Sequence, residues 1–342
     1  MKQHAIIPVF IPHLGCPNDC VFCNQRKITA RTEAPTTDAV RNTINEWLTT
    51  LSHVPSVEVA FYGGSFTGLP IEEQTAYISV AEEFLKDGRI NEIHLSTRPD
   101  YINEEILGNL RAHHVNTIEI GVQSFDDNVL LASNRGHTAA DVYKAARLIK
   151  EYGFTLGIQL MIGLPGDSLE SCVYSAQEAA RLKPELARLY PTIVLDDTRL
   201  LEMYHEGSYQ ALSREEAITR TAEMYKVLDD AGIYIMRVGL KSTDIIGDGG
   251  AINGGTYHPA FRQLVEGRLI RERIEEQLSA IGTDKSSPLK IDIYSCASWF
   301  SNMIGNSGCN KEYFHNKYPA LNIKYRVDDN IAPGHCRVEI KE

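Results

Sequence analysis

Three cysteines fall within eight residues, in the run Gly15-Cys16-Pro17-Asn18-Asp19-Cys20-Val21-Phe22-Cys23. Thiolates are soft ligands, so the cluster suits iron–sulfur or zinc better than a hard cation. The spacing is C-x3-C-x2-C. A four-iron cube normally takes one cysteine per iron, so three close cysteines would leave the fourth iron open to a small molecule. Two other readings stand beside this one. His13, three residues before Cys16, could complete a tetrahedral zinc site, or the thiols could simply be buried.

The other residues suited to chemistry sit where strands are expected to end. Gly63-Gly64-Ser65 closes one apolar run, and a glycine pair lets backbone approach a ligand closely. Ser96-Thr97-Arg98-Pro99-Asp100 closes the next. Pro99 holds Arg98 extended, and the guanidinium could grip a carboxylate or phosphate in two-pronged fashion or pair with Asp100. Glu119 and Gln123 stand in a run that a buried parallel strand would keep apolar, so both need partners. Arg135 and His137 follow in Asn134-Arg135-Gly136-His137-Thr138. Gln159 and Ile162 precede the turn Gly163-Leu164-Pro165-Gly166. Tyr190 ends a sixth run, where it could line a cavity, relay an electron or hydrogen atom, or simply pack.

The elements that would carry these residues alternate. Strands are expected at 6–11, 57–62, 92–97, 117–122, 155–161 and 186–194. Helices are expected at 36–51, 71–85, 102–113, 139–151, 168–182 and 213–231. Such repeats imply parallel strands with helical crossovers, either a doubly wound sheet or a barrel. After residue 235 the pattern changes. Gly247–Gly255 (GDGGAINGG) reads as a flexible connector, 259–281 as a charged helix, and 289–294, 321–327 and 336–341 as strands. The expected division is 1–235 and 236–342.

The composition is ordinary for a globular chain, with 43% hydrophobic and 23% charged residues in 342. No signal peptide or membrane span is expected. Seven cysteines, three in one loop, suggest metal use in a reducing cytoplasm rather than a disulfide framework. The net charge of −11 argues against non-specific nucleic-acid binding. It is uneven: from Met236 onward there are 14 Lys/Arg against 13 Asp/Glu, so a local basic surface on that part stays open. Cys172, Cys296, Cys309 and Cys336 form no second close pair and read as buried thiols, with a second metal on the last three, with or without His335, left open.

Together, the cysteine loop and the ordered strand-end motifs resemble the radical S-adenosylmethionine (SAM) enzymes. TRPDYI, NRGHT and the run Leu189-Tyr190-Pro191-Thr192 are similar to the Elongator catalytic-subunit type. The resemblance implies an α/β fold, a partial (β/α)6 TIM-type barrel followed by a small α+β C-terminal domain. It implies a [4Fe–4S] cluster on Cys16, Cys20 and Cys23, with Phe22 fitting the loop pattern. It implies SAM on the open iron, held by Gly63, Gly64, Ser65, Ser96, Arg98, Gln123, Arg135, Gln159 and Ile162. Ser65 stands where the family has a glutamate, which matters little if backbone does the binding. The implied activity is cleavage of SAM to a 5′-deoxyadenosyl radical that takes hydrogen from a substrate. A flavodoxin or ferredoxin would be the reductant, and Tyr190 and His137 are the catalytic candidates.

The Elongator type modifies the wobble uridine of tRNA with an added acetyltransferase domain. This sequence ends where that domain would be expected to start, so the substrate is left between tRNA, an acyl or acetyl donor used in that modification, and a tetrapyrrole or other small metabolite. A non-catalytic protein that holds the cluster and binds SAM or RNA is the alternative of another class.

Overall fold

The computed structural model describes residues 3–11, 16, 20–24, 34–240, 252–281 and 289–341. His13 and the linking residues of the cysteine loop lie outside the described residues, as do residues 247–251 of the glycine-rich run. The described chain divides into two compact units. One comprises 1–217 with 223–257, the other 218–222 with 258–342.

The first unit is built on a seven-stranded sheet. In chain order its elements are β1 (His4–Ile11), α1 (Thr37–Leu51), β2 (Ser56–Gly63), α2 (Ile71–Lys86), β3 (Glu92–Thr97), α3 (Glu104–Ala112), β4 (Thr117–Gln123), α4 (Asp127–Ala132), α5 (Ala139–Glu151), β5 (Thr155–Ile162), α6 (Leu169–Arg181), β6 (Leu186–Pro191), β7 (Ile193–Leu195), α7 (Arg199–His205), α8 (Arg214–Asp230), β8 (Tyr234–Val238) and β9 (Ile252–Gly255). The sheet order is β1-β2-β3-β4-β5-β6-β8, with every neighbouring pair parallel. This is the α/β partial barrel, with one more strand at its edge than the six expected.

The helices begin where side chains cap them. Thr36 accepts from the Ala39 N–H at 3.2 Å, and Thr138 with Asp141 and Ser213 with Glu216 form reciprocal capping boxes. The expected starts at 36, 168 and 213 are the cap residues Thr36, Ser168 and Ser213, one position ahead of the first helical turn.

The expected strand at 186–194 is two strands. Pro191 has no N–H to continue the ladder, and Thr192 N donates to the Ile162 carbonyl at 2.8 Å before the chain leaves the sheet as β7. β7 pairs antiparallel with β9, so Ile252–Gly255 is strand and not the connector expected there. Gly255 makes this possible. Its φ is +81°, and a Cβ on it would lie 2.6 Å from the Thr192 carbonyl oxygen.

The sheet is rolled. β2 and β6 are four strands apart, about 19 Å in a flat sheet, yet the Arg188 guanidinium of β6 donates a hydrogen bond to the Tyr62 hydroxyl of β2. Its concave face therefore closes on a lumen.

The second unit has a sheet ordered β11-β10-β12. It contains α9 (Phe261–Ala280), β10 (Lys290–Ser295), α10 (Phe300–Ile304), α11 (Cys309–Lys317), β11 (Asn322–Val327) and β12 (Arg337–Lys341). β10 pairs parallel with β11 and antiparallel with β12. Ile270, Ile274 and Leu278 of α9 pack on Ile291 and Ile293 of β10 and Phe314 of α11. Helices α10 and α11 carry no clear apolar period in the sequence and were not expected.

Candidate active site

The glycine pair at the end of β2 is placed by β1. Gly63 has φ +124°, and a Cβ on it would lie 2.4 Å from the Ile11 carbonyl oxygen, which also accepts from the Gly64 N–H at 3.0 Å. Ile11 is the last described residue before the cysteine loop. The pair thus holds the point from which the loop departs. Ser65 is fully buried. Its hydroxyl bonds Thr97 at 2.8 Å and accepts the Arg98 N–H at 3.2 Å, tying the end of β2 to the end of β3 and leaving only its backbone for a ligand.

Beside this tie, Arg98 is buried and paired with Asp100 in a two-pronged contact, Nε to Oδ1 at 3.0 Å and Nη2 to Oδ2 at 2.8 Å. Burial disfavours its charge, but Asp100, with Cys20 and Cys16 behind it, raises the guanidinium pKa above its ordinary value. The ion pair weighed from the sequence is present, with Arg98 buried and Asp100 partly exposed, and Arg98 Nη1 is left without a partner among the described residues.

At the end of β4 the backbone is strained for a purpose. Gln123 has φ +69°, rare for a side chain with a Cβ, and the β4–β5 register shifts between Gly121 and Gln123. Arg135 lies in the space this leaves. Its Nη2 donates to the Gly121 carbonyl at 2.7 Å and its Nη1 lies 3.3 Å from Cys20 Sγ. A Cβ at Gly121 would stand 2.8 Å from Arg135 Nη2 and 2.9 Å from Gln123 Nε2. The glycine is what admits the arginine. His137 donates from Nε2 to the Val122 carbonyl at 3.2 Å. Burial, with the charges of Arg135 and Arg98, pushes its pKa down to about 4, so it is neutral near pH 7.

The cysteine loop meets this ring of groups through its backbone. Val21 N donates to Ser133 O at 3.1 Å, and Leu200 N to Val21 O at 2.7 Å. Phe22 packs on the cluster of Val21, Val194, Leu200 and Tyr209. Cys20 is buried, and Cys16 and Cys23 are partly exposed. Among the described residues no three Cys, His, Asp or Glu side chains are arranged as a ligand set.

Deeper in the lumen lies a second polar group. Glu58 of β2, His94 of β3, Glu119 of β4 and Arg188 of β6 are all buried. His94 Nδ1 is 3.4 Å from Glu58 Oε1, Arg188 Nε is 2.8 Å from Glu119 Oε2, and Ser96 donates to Glu119 Oε1 at 3.1 Å. Arg188 also donates to the hydroxyls of Tyr62 and, at 3.4 Å, Tyr190. Burial raises the pKa of both phenols. Burial works against the Arg188 charge, but Glu119 more than offsets it and holds the guanidinium well above its ordinary pKa. Burial would likewise raise Glu58, but the His94 hydrogen bond, with His94 and His4 charges, brings it below the ordinary range.

Comparison with known proteins agrees with this geometry. Residues 10–179 match the family model of the radical SAM superfamily, and residues 184–271 match that of the Radical_SAM C-terminal domain. The chain belongs to the radical SAM superfamily. Among its relatives are tRNA uridine(34) acetyltransferase of Methanocaldococcus jannaschii, 31% identical over 47% of this chain and 34% of the relative, and Elongator complex protein 3 of Mus musculus, 30% identical over 52% and 37%. The chain thus spans about a third of the length of these two relatives. The structure of Methanocaldococcus infernus Elp3 with an N-terminal deletion shares the fold at TM-score 0.63 and 22% identity, over 83% of this chain and 64% of that one.

Radical SAM proteins carry a [4Fe–4S] cluster and SAM, and the residues at the mouth of this barrel fit both. Three thiols suit iron, and a buried guanidinium beside Cys20 suits the negative charge a cluster brings. Arg98 Nη1, Gln123 Oε1 and Arg135 Nε are buried polar atoms with no partner among the described residues, which is costly unless a ligand meets them. Gln159 is partly exposed on β5, whereas the Ile162 side chain is fully buried.

Sequence reading missed Glu58, Tyr62, His94 and Arg188. The signal was present. Glu58-x-x-x-Tyr62, His94-x-Ser96, Glu119-x-x-x-Gln123 and Arg188-x-Tyr190 are polar residues two or four apart, which puts each set on one face of a strand. Of the remaining thiols, Cys172 donates to Asp167 at 3.0 Å, and burial pushes Cys336 up to about 11. Neither these nor Cys296 and Cys309 fall in a metal-binding group among the described residues. No helix among the described residues is long and apolar enough to cross a membrane.

Proposed function

We propose that this enzyme holds a [4Fe–4S] cluster on Cys16, Cys20 and Cys23, cleaves SAM there, and acts on RNA, with the wobble uridine of tRNA as the class of target. The observation that carries the reading is the unsatisfied polar ring at the mouth, next to the cysteine loop and above an ion-paired floor. When bound, the cluster and SAM together supply a 5′-deoxyadenosyl radical. Arg135, anchored to Gly121, stands to hold the SAM carboxylate. The backbone of Gly63–Ser65 stands to hold its amino group, and Gln123 and Gln159 to hold its ribose. Tyr62 and Tyr190 are protonated and face the lumen, where they bound the space for the substrate, while neutral His137 fixes the strand end through Val122. The rolled sheet keeps bulk water from the reacting groups. An external flavodoxin or ferredoxin serves as the electron donor. RNA as the substrate draws on the two relatives whose names specify tRNA uridine or Elongator.

The test is anaerobic purification with iron and sulfide analysis, then assay of 5′-deoxyadenosine with dithionite and SAM. About four irons per chain are expected, and Cys20→Ala should lose them together with turnover. A colourless protein with one zinc would overturn the reading. A product found on tRNA but not on a small-metabolite pool supports the RNA assignment, and the reverse overturns it.

A further inference from the structure

The outer face of the three-stranded sheet carries charge opposite to that of the chain. The register places Lys290, Lys324, Arg326, Arg337 and Lys341 on this face, with Asp292 and Glu339 as its acids and Tyr294 at its centre. Arg337 lies over the Tyr294 ring at 4.8 Å. The inner face, with Ile291, Ile293, Ile323, Tyr325 and Val338, packs on the core, as does Phe300. Arg326 pairs with Asp292, Arg337 with Asp328 and Glu339, and Lys341 with Glu339, so a chain of net charge −11 presents five cations against three acids on one small surface.

The free edge of this sheet continues the pattern. Beside β11 lies an open groove of about 490 Å³, bounded by the rings of Phe300 and Tyr325 and by Lys311, Lys324 and Arg326. No acidic side chain among the described residues lines it. Arg326 is tied to Asp292 at 2.6 Å, but neither Lys311 nor Lys324 makes an ion pair among the described residues. Charged residues on an edge strand commonly deter strand pairing. That role accounts for Lys324. It does not account for Lys311, which comes from α11; Phe300 and Tyr325 are half-buried, packing on the core and lining the groove with what stays exposed. Cations that follow a phosphate chain, interleaved with rings on which bases stack, are the chemistry of single-stranded nucleic-acid binding.

We propose that the groove along β11 and the adjoining outer face bind the RNA backbone, with a base set against the half-buried rings of Phe300 and Tyr325. The proposal rests on RNA as the substrate and adds where this chain grips it. The test measures affinity of the whole protein for bulk tRNA across about 50 to 200 mM salt. It compares wild type with the double variant Lys311→Gln/Lys324→Gln, and with Lys144→Gln/Lys183→Gln, two exposed lysines of the first unit, as the control. The groove variant should bind about tenfold more weakly, and its slope of log affinity against log salt should fall by about 1.4 to 1.8. The control should match wild type.

Wild-type affinity and slope in the groove variant would overturn the proposal while leaving RNA as substrate, and would point to the open strand edge as a peptide dock instead. An equal loss in the control would overturn it as well, as mere bulk charge. No binding of tRNA by the wild type would overturn both this proposal and the RNA reading.

Discussion

The lumen of the first unit contains two polar regions with opposite characters. On the floor, Glu58, His94, Glu119 and Arg188 contact one another, and Arg188 reaches two tyrosines besides. At the mouth, Arg98, Gln123 and Arg135 are as deeply buried, yet each keeps an atom with no partner among the described residues. Buried polar atoms are nearly always satisfied in folded proteins. The floor's own atoms without a hydrogen bond, His94 Nε2, Glu119 Oε2 and Arg188 Nε, face one another as charge contacts at 2.8 and 3.9 Å, whereas those at the mouth face no such contact among the described residues. The difference separates residues that hold the barrel together from residues that hold what it binds.

The largest effect should come from opening the floor. Arg188→Met leaves the Glu119 carboxylate buried without its charge partner. Such a loss typically costs about 3–5 kcal/mol, read as a fall in the urea midpoint at unchanged slope. The double change Glu119→Leu/Arg188→Met should recover most of it, because an ion pair replaced whole by apolar groups is often nearly neutral. A single variant as stable as wild type would mean that the floor is not the ion-paired network described.

The mouth should respond the other way. Arg135→Lys keeps the charge but loses the fork that spans Gly121 and Cys20. We expect SAM affinity, measured by calorimetry on the reconstituted protein, to fall about tenfold, with stability changed by less than about 1 kcal/mol. A large loss of stability with unchanged affinity would move Arg135 from the mouth to the floor and erase the distinction.

Much of the mouth could be read from the chain, and little of the floor. Cysteine spacing, paired glycines and an arginine before proline are local patterns, and each fell at a strand end as expected. The floor is assembled from four strands whose starts lie 36, 25 and 69 residues apart in succession, so no window contains it. What the sequence did hold was polarity at alternate positions within otherwise apolar strands, and that sign was read only at Glu119 and Gln123. The same limit explains β7. An apolar run through Pro191 looks continuous, and only the rolled sheet and the pairing with β9 show where it turns away. In the second unit, α10 and α11 are short and owe their position to packing against α9.

The smallest effect should be a pH dependence that assigns His137 to one side of the comparison. Its imidazole is buried and neutral, with a folded pKa of about 4 against about 6.5 when unfolded. A depressed folded value means that the unfolded chain binds the extra proton first. Stability from this residue is therefore present above pH 6.5 and lost as pH falls toward 4. Between about pH 7 and about pH 5.5 wild type should lose about 1 kcal/mol more than His137→Gln, whose amide can still donate to the Val122 carbonyl. If the two proteins lose stability in parallel, the imidazole is already charged or exposed, and it would stand with the ligand-facing groups as a proton donor. If they diverge as expected, His137 belongs to the scaffold. The pH profile of 5′-deoxyadenosine formation should then show no inflection from it above about pH 5.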